Sequence, residues 1–168
     1  MHKRSSFRNK IQQRLQDSGW FTFDIYNGRR DPMAIRRLPA LFLINLDESV
    51  ERLCEAPVIL RKTYKLGVEV LVSHTHAPMG SHWSPGSIDE QLDQITQAIE
   101  KCLLSDDGVF LGEDLYWFHL ESTEFHSSSK GDEILGHARM IFRIIYDESP
   151  DPSKPLFELE VMELNYAI

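Results

Sequence analysis

The chain has 168 residues, a net charge of −8, and 42% hydrophobic and 26% charged residues. That balance fits one globular domain with a real core, and it excludes a chain that is disordered throughout, collagen-like or mucin-like. No window approaches the ~18 consecutive apolar residues of a membrane helix, and the opening MHKRSSFRNKIQQRL lacks the apolar stretch of a signal peptide. Cys54 and Cys102 are too few for a disulfide framework or a four-thiolate zinc site, and both read as small buried hydrophobes.

Charge is unevenly placed. Residues 1–37 hold nine Lys and Arg against three acids, a charge of +6, which leaves −14 on the rest. Such a split suits head-to-tail contact between copies, and an overall acidic chain argues against general nucleic-acid binding. A solvated surface with chance clustering is the plainer alternative.

The predicted elements run as follows. Phe7, Ile11 and Leu15 recur at i, i+4 and i+8, which predicts an amphipathic helix over 5–17, capped by Ser5 or Ser6 and stopped at Asp17-Ser18-Gly19. Aromatic and β-branched residues predict a strand over 20–26, then a turn at Asn27-Gly28. An Arg-rich loop reaches Pro39. Residues 40–46 (ALFLINL) form a short apolar strand, and 47–56 is polar.

Residues 58–73 alternate strictly: Val58, Leu60, Lys62, Tyr64, Leu66, Val68, Val70 and Val72 share one face. A loop over 74–86 follows. Ser87-Ile88-Asp89-Glu90 is a capping box, and Ile88, Leu92, Ile95, Ile99 and Leu103 make one helical stripe. A turn at Ser105–Gly108 leads to a strand over 111–125. Apolar residues on both its faces predict a central or interface position. Residues 126–131 read as a hairpin loop, and 134–146 as the antiparallel return strand. The proline-spaced SPDPSKP then reads as a stiff linker to an alternating arm strand. The whole is α+β: a mostly antiparallel sheet flanked by two helices over residues 1–149, with a C-terminal extended arm over 150–168.

No motif carries catalysis. His74, His76 and His82 could face a metal, but no Cys, Asp or Glu accompanies them between residues 70 and 87, so a surface loop is the simpler reading. Asp106-Asp107, Glu113-Asp114 and Asp132-Glu133 each flank a turn glycine, which turn chemistry explains. His126 beside Ser127–Ser129 lacks an orienting acid and a nucleophile elbow. The sequence therefore predicts no enzyme, no metal and no cofactor.

Partner-contact candidates are Arg29, Arg30, Arg36 and Arg37 as an electrostatic docking patch, His74, His76, His82 and Trp83 in the long loop, and Ser127 and Lys130 in the hairpin. Trp20 and Trp117 are expected in the core or on a strand face. Arm candidates for contact between copies are Phe157, Leu159, Val161, Leu164 and Tyr166.

Five segments in order carry a family resemblance: IQQRLQDSG, the aromatic strand with its Arg loop, RKTYKLGVEVLV, IDEQLDQITQAIEKCLL, and LYWFHLESTEF with GHARMIFRIIYDES. The layout over most of residues 6–147 resembles the tail terminator (tail completion) proteins of tailed bacteriophages, and it does not extend past Pro150. The resemblance implies a structural virion protein, assembled in the host cytoplasm and resident in the tail or neck. Such a protein forms a ring of about six copies that caps the head-proximal end of the tail tube. The implied partners are the tube protein, a sheath protein and a head-side connector, with no membrane and no specific nucleic-acid binding. A neck adaptor and a small cytoplasmic protein-binding module are the competing readings.

Overall fold

The computed structural model describes residues 3–28, 38–55, 58–73, 87–112, 115–130 and 133–149. Helix α1 (Lys3–Asp17) buries Phe7, Ile11 and Leu15, the three residues of the predicted stripe. It begins ahead of the serines expected to cap it. It ends where Ser18 Oγ donates to the Leu15 carbonyl at 2.7 Å and Gly19 takes a positive φ of 68°.

Strand β1 (Asp24–Asn27) is much shorter than expected. It pairs in parallel with β2 (Ala40–Glu55) from Asp24↔Ala40 to Asn27↔Leu43. One register step earlier, Phe23 would face Pro39, which has no N–H to donate, so the ladder cannot extend back to Trp20. Strand β2 is longer than expected. The polar stretch 47–55 stays extended because it pairs with β3 (Val58–Ser73) down to Glu55↔Val58, with bulges at Leu46 and Leu53.

Helix α2 (Ile88–Leu104) carries the predicted capping box: Ser87 Oγ accepts from the Glu90 amide at 3.2 Å, and the Ser87 amide donates to Glu90 Oε2 at 2.9 Å. A short 3-10 turn, Val109–Leu111, then leads to β4 (Leu115–Lys130), which starts later than expected and runs through the predicted hairpin loop. It returns as β5 (Glu133–Glu148), antiparallel to both β3 and β4.

The sheet order is β1-β2-β3-β5-β4. Among the described strands β4 therefore lies at an edge, which corrects the central placement and leaves the interface reading open. Its bulges at Tyr116 and Glu121 also break the expected alternation. Leu115, Phe118 and Leu120 all pack toward the same core, although Leu115 differs from the other two in parity.

Both helices lie on one face of the sheet. Against them pack Leu41 and Leu43 of β2, Tyr64 to Val72 at even positions of β3, and Ala138 to Tyr146 at even positions of β5. The approach is tightest at Gly136, where a Cβ would sit 2.3 Å from Ile88 Cγ2 and 2.9 Å from Val72 Cγ2. Among the described residues the other face carries a small apolar cluster at its β1–β2 side, where Ala40, Phe42 and Ile44 meet Tyr26, Leu38, Leu46 and Leu71.

Candidate functional site: the open face and the β4 edge

The open face is built by the positions of β3 and β5 that point away from the helices, and opposite charges fall in register across it. Arg61 faces Asp147 and Glu69 faces Arg139. Arg61 Nε and Nη2 donate to the two Asp147 carboxylate oxygens at 2.9 and 3.0 Å, a bidentate pair. Arg139 Nη2 lies 2.6 Å from Glu69 Oε1. Lys65 and Arg143 stand side by side, and both reach Glu121 at 2.9 Å from the β4 bulge. The Lys65 and Arg143 hydrogen bonds hold the Glu121 carboxyl below its ordinary range, and the Arg61 hydrogen bond does the same for Asp147.

Beside this ladder the β4 edge exposes large aromatics. Tyr116 is 61% exposed and Trp117 57%, whereas Phe125 is exposed farther along the strand, opposite Ala138 and so on the helix side of the sheet. The Arg61 guanidinium covers the Tyr116 ring at 4.1 Å from its centroid, and Trp117 meets His119 edge-on. Farther along, His126 and His137 stack at 5.9 Å. Burial pushes the His137 imidazole below its ordinary value, although Glu69 pulls the other way. Tyr, Trp and Arg in one exposed cluster have the composition of an interface hot spot.

The sequence missed this cluster. Trp117 lies on a strand face as expected, but it and Trp20 (42% exposed) are not core residues. Cys54 is exposed, against expectation, and Cys102 is buried, as expected. The signal available was the adjacent pair Tyr116-Trp117, which no single strand can bury on one side without a bulge.

The basic N-terminal region also behaves differently from its charge count. Lys3 donates to the Asp147 carbonyl at 3.1 Å, Lys10 to the Leu111 carbonyl at 2.6 Å, and Arg14 pairs with Asp106 at 3.0 Å. Arg4 sits 3.6 Å from Glu48. These cations tie α1 to its own sheet and to the turn after α2, so within the described residues they do not form a free basic surface for a second copy.

Of the predicted contact residues, Ser127 is exposed on β4 opposite Gly136, and Lys130 stands opposite Glu133 in the backbone register at the end of the hairpin. Arg29, Arg30, Arg36, Arg37, His74, His76, His82, Trp83, Phe157, Leu159, Val161, Leu164 and Tyr166 lie outside the described residues. Among the described residues no three His, Cys, Asp or Glu side chains converge as metal ligands. A shallow groove of about 370 Å³ between the helix ends is lined by Arg14, Asp17, Trp20, Lys101 and Cys102. Burial raises the Cys102 thiol's pKa, which keeps it protonated at neutral pH and a poor nucleophile. No described helix is long and apolar enough to cross a membrane. No protein-family model matches the chain, and no curated protein matches it.

Proposed function

We propose that the protein is a structural virion component, a tail-terminator-like subunit. Its ring caps the head-proximal end of a phage tail tube, ends tube polymerisation and joins the tail to a head-side connector. The reading draws on the order of elements, helix, sheet, helix, antiparallel pair, which matches the layout that carries the family resemblance. The observation that supports it most is where the exposed aromatics lie. Tyr116 and Trp117 stand at the outer edge of β4 beside a charged face, not at the rim of a cleft, and among the described residues no strand pairs with that edge. An edge of this kind serves subunit contact. On this reading the protein works by shape, as a non-enzymatic assembly part without a cofactor.

The test is tube capping. Purified tail-tube subunits polymerise with and without substoichiometric protein, and tube lengths are measured by negative-stain microscopy. The reading predicts shortened tubes with extra density at one end. Unchanged lengths, with the protein instead bound to isolated connector rings, would favour the neck-adaptor reading.

A further inference from the structure

The sheet has two outer edges with unequal character. β1 covers only Ala40–Leu43 of β2, so residues 44–55 have no partner strand on that side among the described residues. β4 likewise has no described strand along its outer side over Leu115–Lys130. The chain continues from Ser149, whose Oγ donates to the Val58 carbonyl at 3.2 Å, at the end of the sheet where β4 begins. Nineteen residues follow, 150–168, of which 157–166 alternate as Phe157, Leu159, Val161 against Glu158, Glu160, Met162.

We infer that residues 157–166 add as a further strand to the outer edge of β4 on a second copy of the chain. Charge selects the edge. The arm carries Glu158, Glu160 and Glu163, and the free part of β2 carries Asp47, Glu48, Glu51 and Glu55 against one Arg52. Like charges facing each other across strands are destabilising. β4 has only Glu121 and Glu124, and Lys65 and Arg143 already neutralise Glu121. Exposed apolar surface selects the same edge: the Tyr116 and Trp117 rings beside the open face offer more to Phe157, Leu159 and Val161 than Val50 and Leu53 do.

Linker stiffness selects a second copy. Returning to the chain's own β4 edge means crossing two strand spacings, about 10 Å. Residues 150–156 hold three prolines. In an extended polyproline form such a linker reaches about 22 Å and resists folding back. The inference stands apart from the virion reading, because strand exchange of this kind builds any head-to-tail assembly.

The experiment compares the full-length protein with its Val161→Pro variant, by light scattering and by amide hydrogen exchange. Proline at 161 removes an N–H and breaks an added strand without touching residues 3–149. The expected result is a drop in mass toward the monomer, with faster exchange over 115–130 and unchanged protection in α1 and α2. A second variant, Trp117→Ala, is expected to lower the mass in the same direction from the acceptor side. Unchanged mass and unchanged exchange at β4 overturn the inference. Faster exchange at 44–55 in place of 115–130 overturns the choice of edge. Faster exchange at β4 with no change of mass overturns exchange between copies and places the arm on its own sheet. A wild-type dimer that dissociates as expected would uphold strand exchange while contradicting the ring.

Discussion

The two faces of the sheet use the same strands to opposite ends. On the helix face, β3 and β5 present Tyr64, Leu66, Val68, Val70, Met140, Phe142 and Ile144, all fully buried. On the open face, the alternate positions of the same two strands present Arg61 against Asp147 and Glu69 against Arg139 as ion pairs in register, with Lys65 and Arg143 sharing Glu121 of β4. The helix face supplies stability through burial. The open face contributes little net stability, because exposed ion pairs typically give about 0–1 kcal/mol, but it fixes which side chains stand where. A face whose charges nearly all meet a partner still presents a specific pattern, and the aromatics beside it provide area for contact.

The largest expected effect comes from breaking the helix face. Leu66→Ala should cost about 2–5 kcal/mol in chemical denaturation, since Leu66 is fully buried beneath the helices. Gly136→Ala should cost about 1–3 kcal/mol by overpacking, because its new Cβ would meet Ile88 and Val72 inside contact distance. Ser87→Ala removes the acceptor for the Glu90 amide and should cost about 1 kcal/mol, read in the same assay.

The open face should respond to pH instead. Glu121 and Asp147 have folded-state pKa values below their unfolded values, so the stability they add is present at neutral pH and lost as pH falls through the carboxylate range. His137 is likewise depressed from 6.5, so its contribution starts to fade as pH drops below that value. Thermal melts of Glu121→Gln against wild type should differ at pH 7 and converge in acid, below the ordinary carboxylate range. Equal gaps at both pH values would remove Glu121 as the acid-sensitive group. The smallest effect on folding should come from Trp117→Ala, within about 0.5 kcal/mol for an exposed residue, while its effect on assembly is large.

This contrast marks what the sequence could tell. α2 and β3 were fully legible, because the Ser87 capping box and the strict alternation from Val58 to Val72 are local signals. α1 was legible in its stripe but not in its start. The polar half of β2 was not, because Asp47–Glu55 is strand only through its pairing with β3. β4 was misread for a related reason: bulges at Tyr116 and Glu121 shift the alternation and turn Trp117 outward, and a bulge is set by the partner strand. The basic N-terminal charge was visible, but its use was not, since Lys3, Lys10 and Arg14 find acceptors far away along the chain. Of the sequence-predicted contacts, Ser127 and Lys130 fall on β4, at its far end from the aromatic cluster.

The central claim is that the free β4 edge and the face beside it join copies of this chain into a closed ring. Light scattering across a concentration series, alone and with tail-tube subunits present, tests it most directly. The account predicts a single closed species of about six copies that Trp117→Ala dissolves without unfolding the subunit. A strict monomer under both conditions, at every concentration, would contradict it.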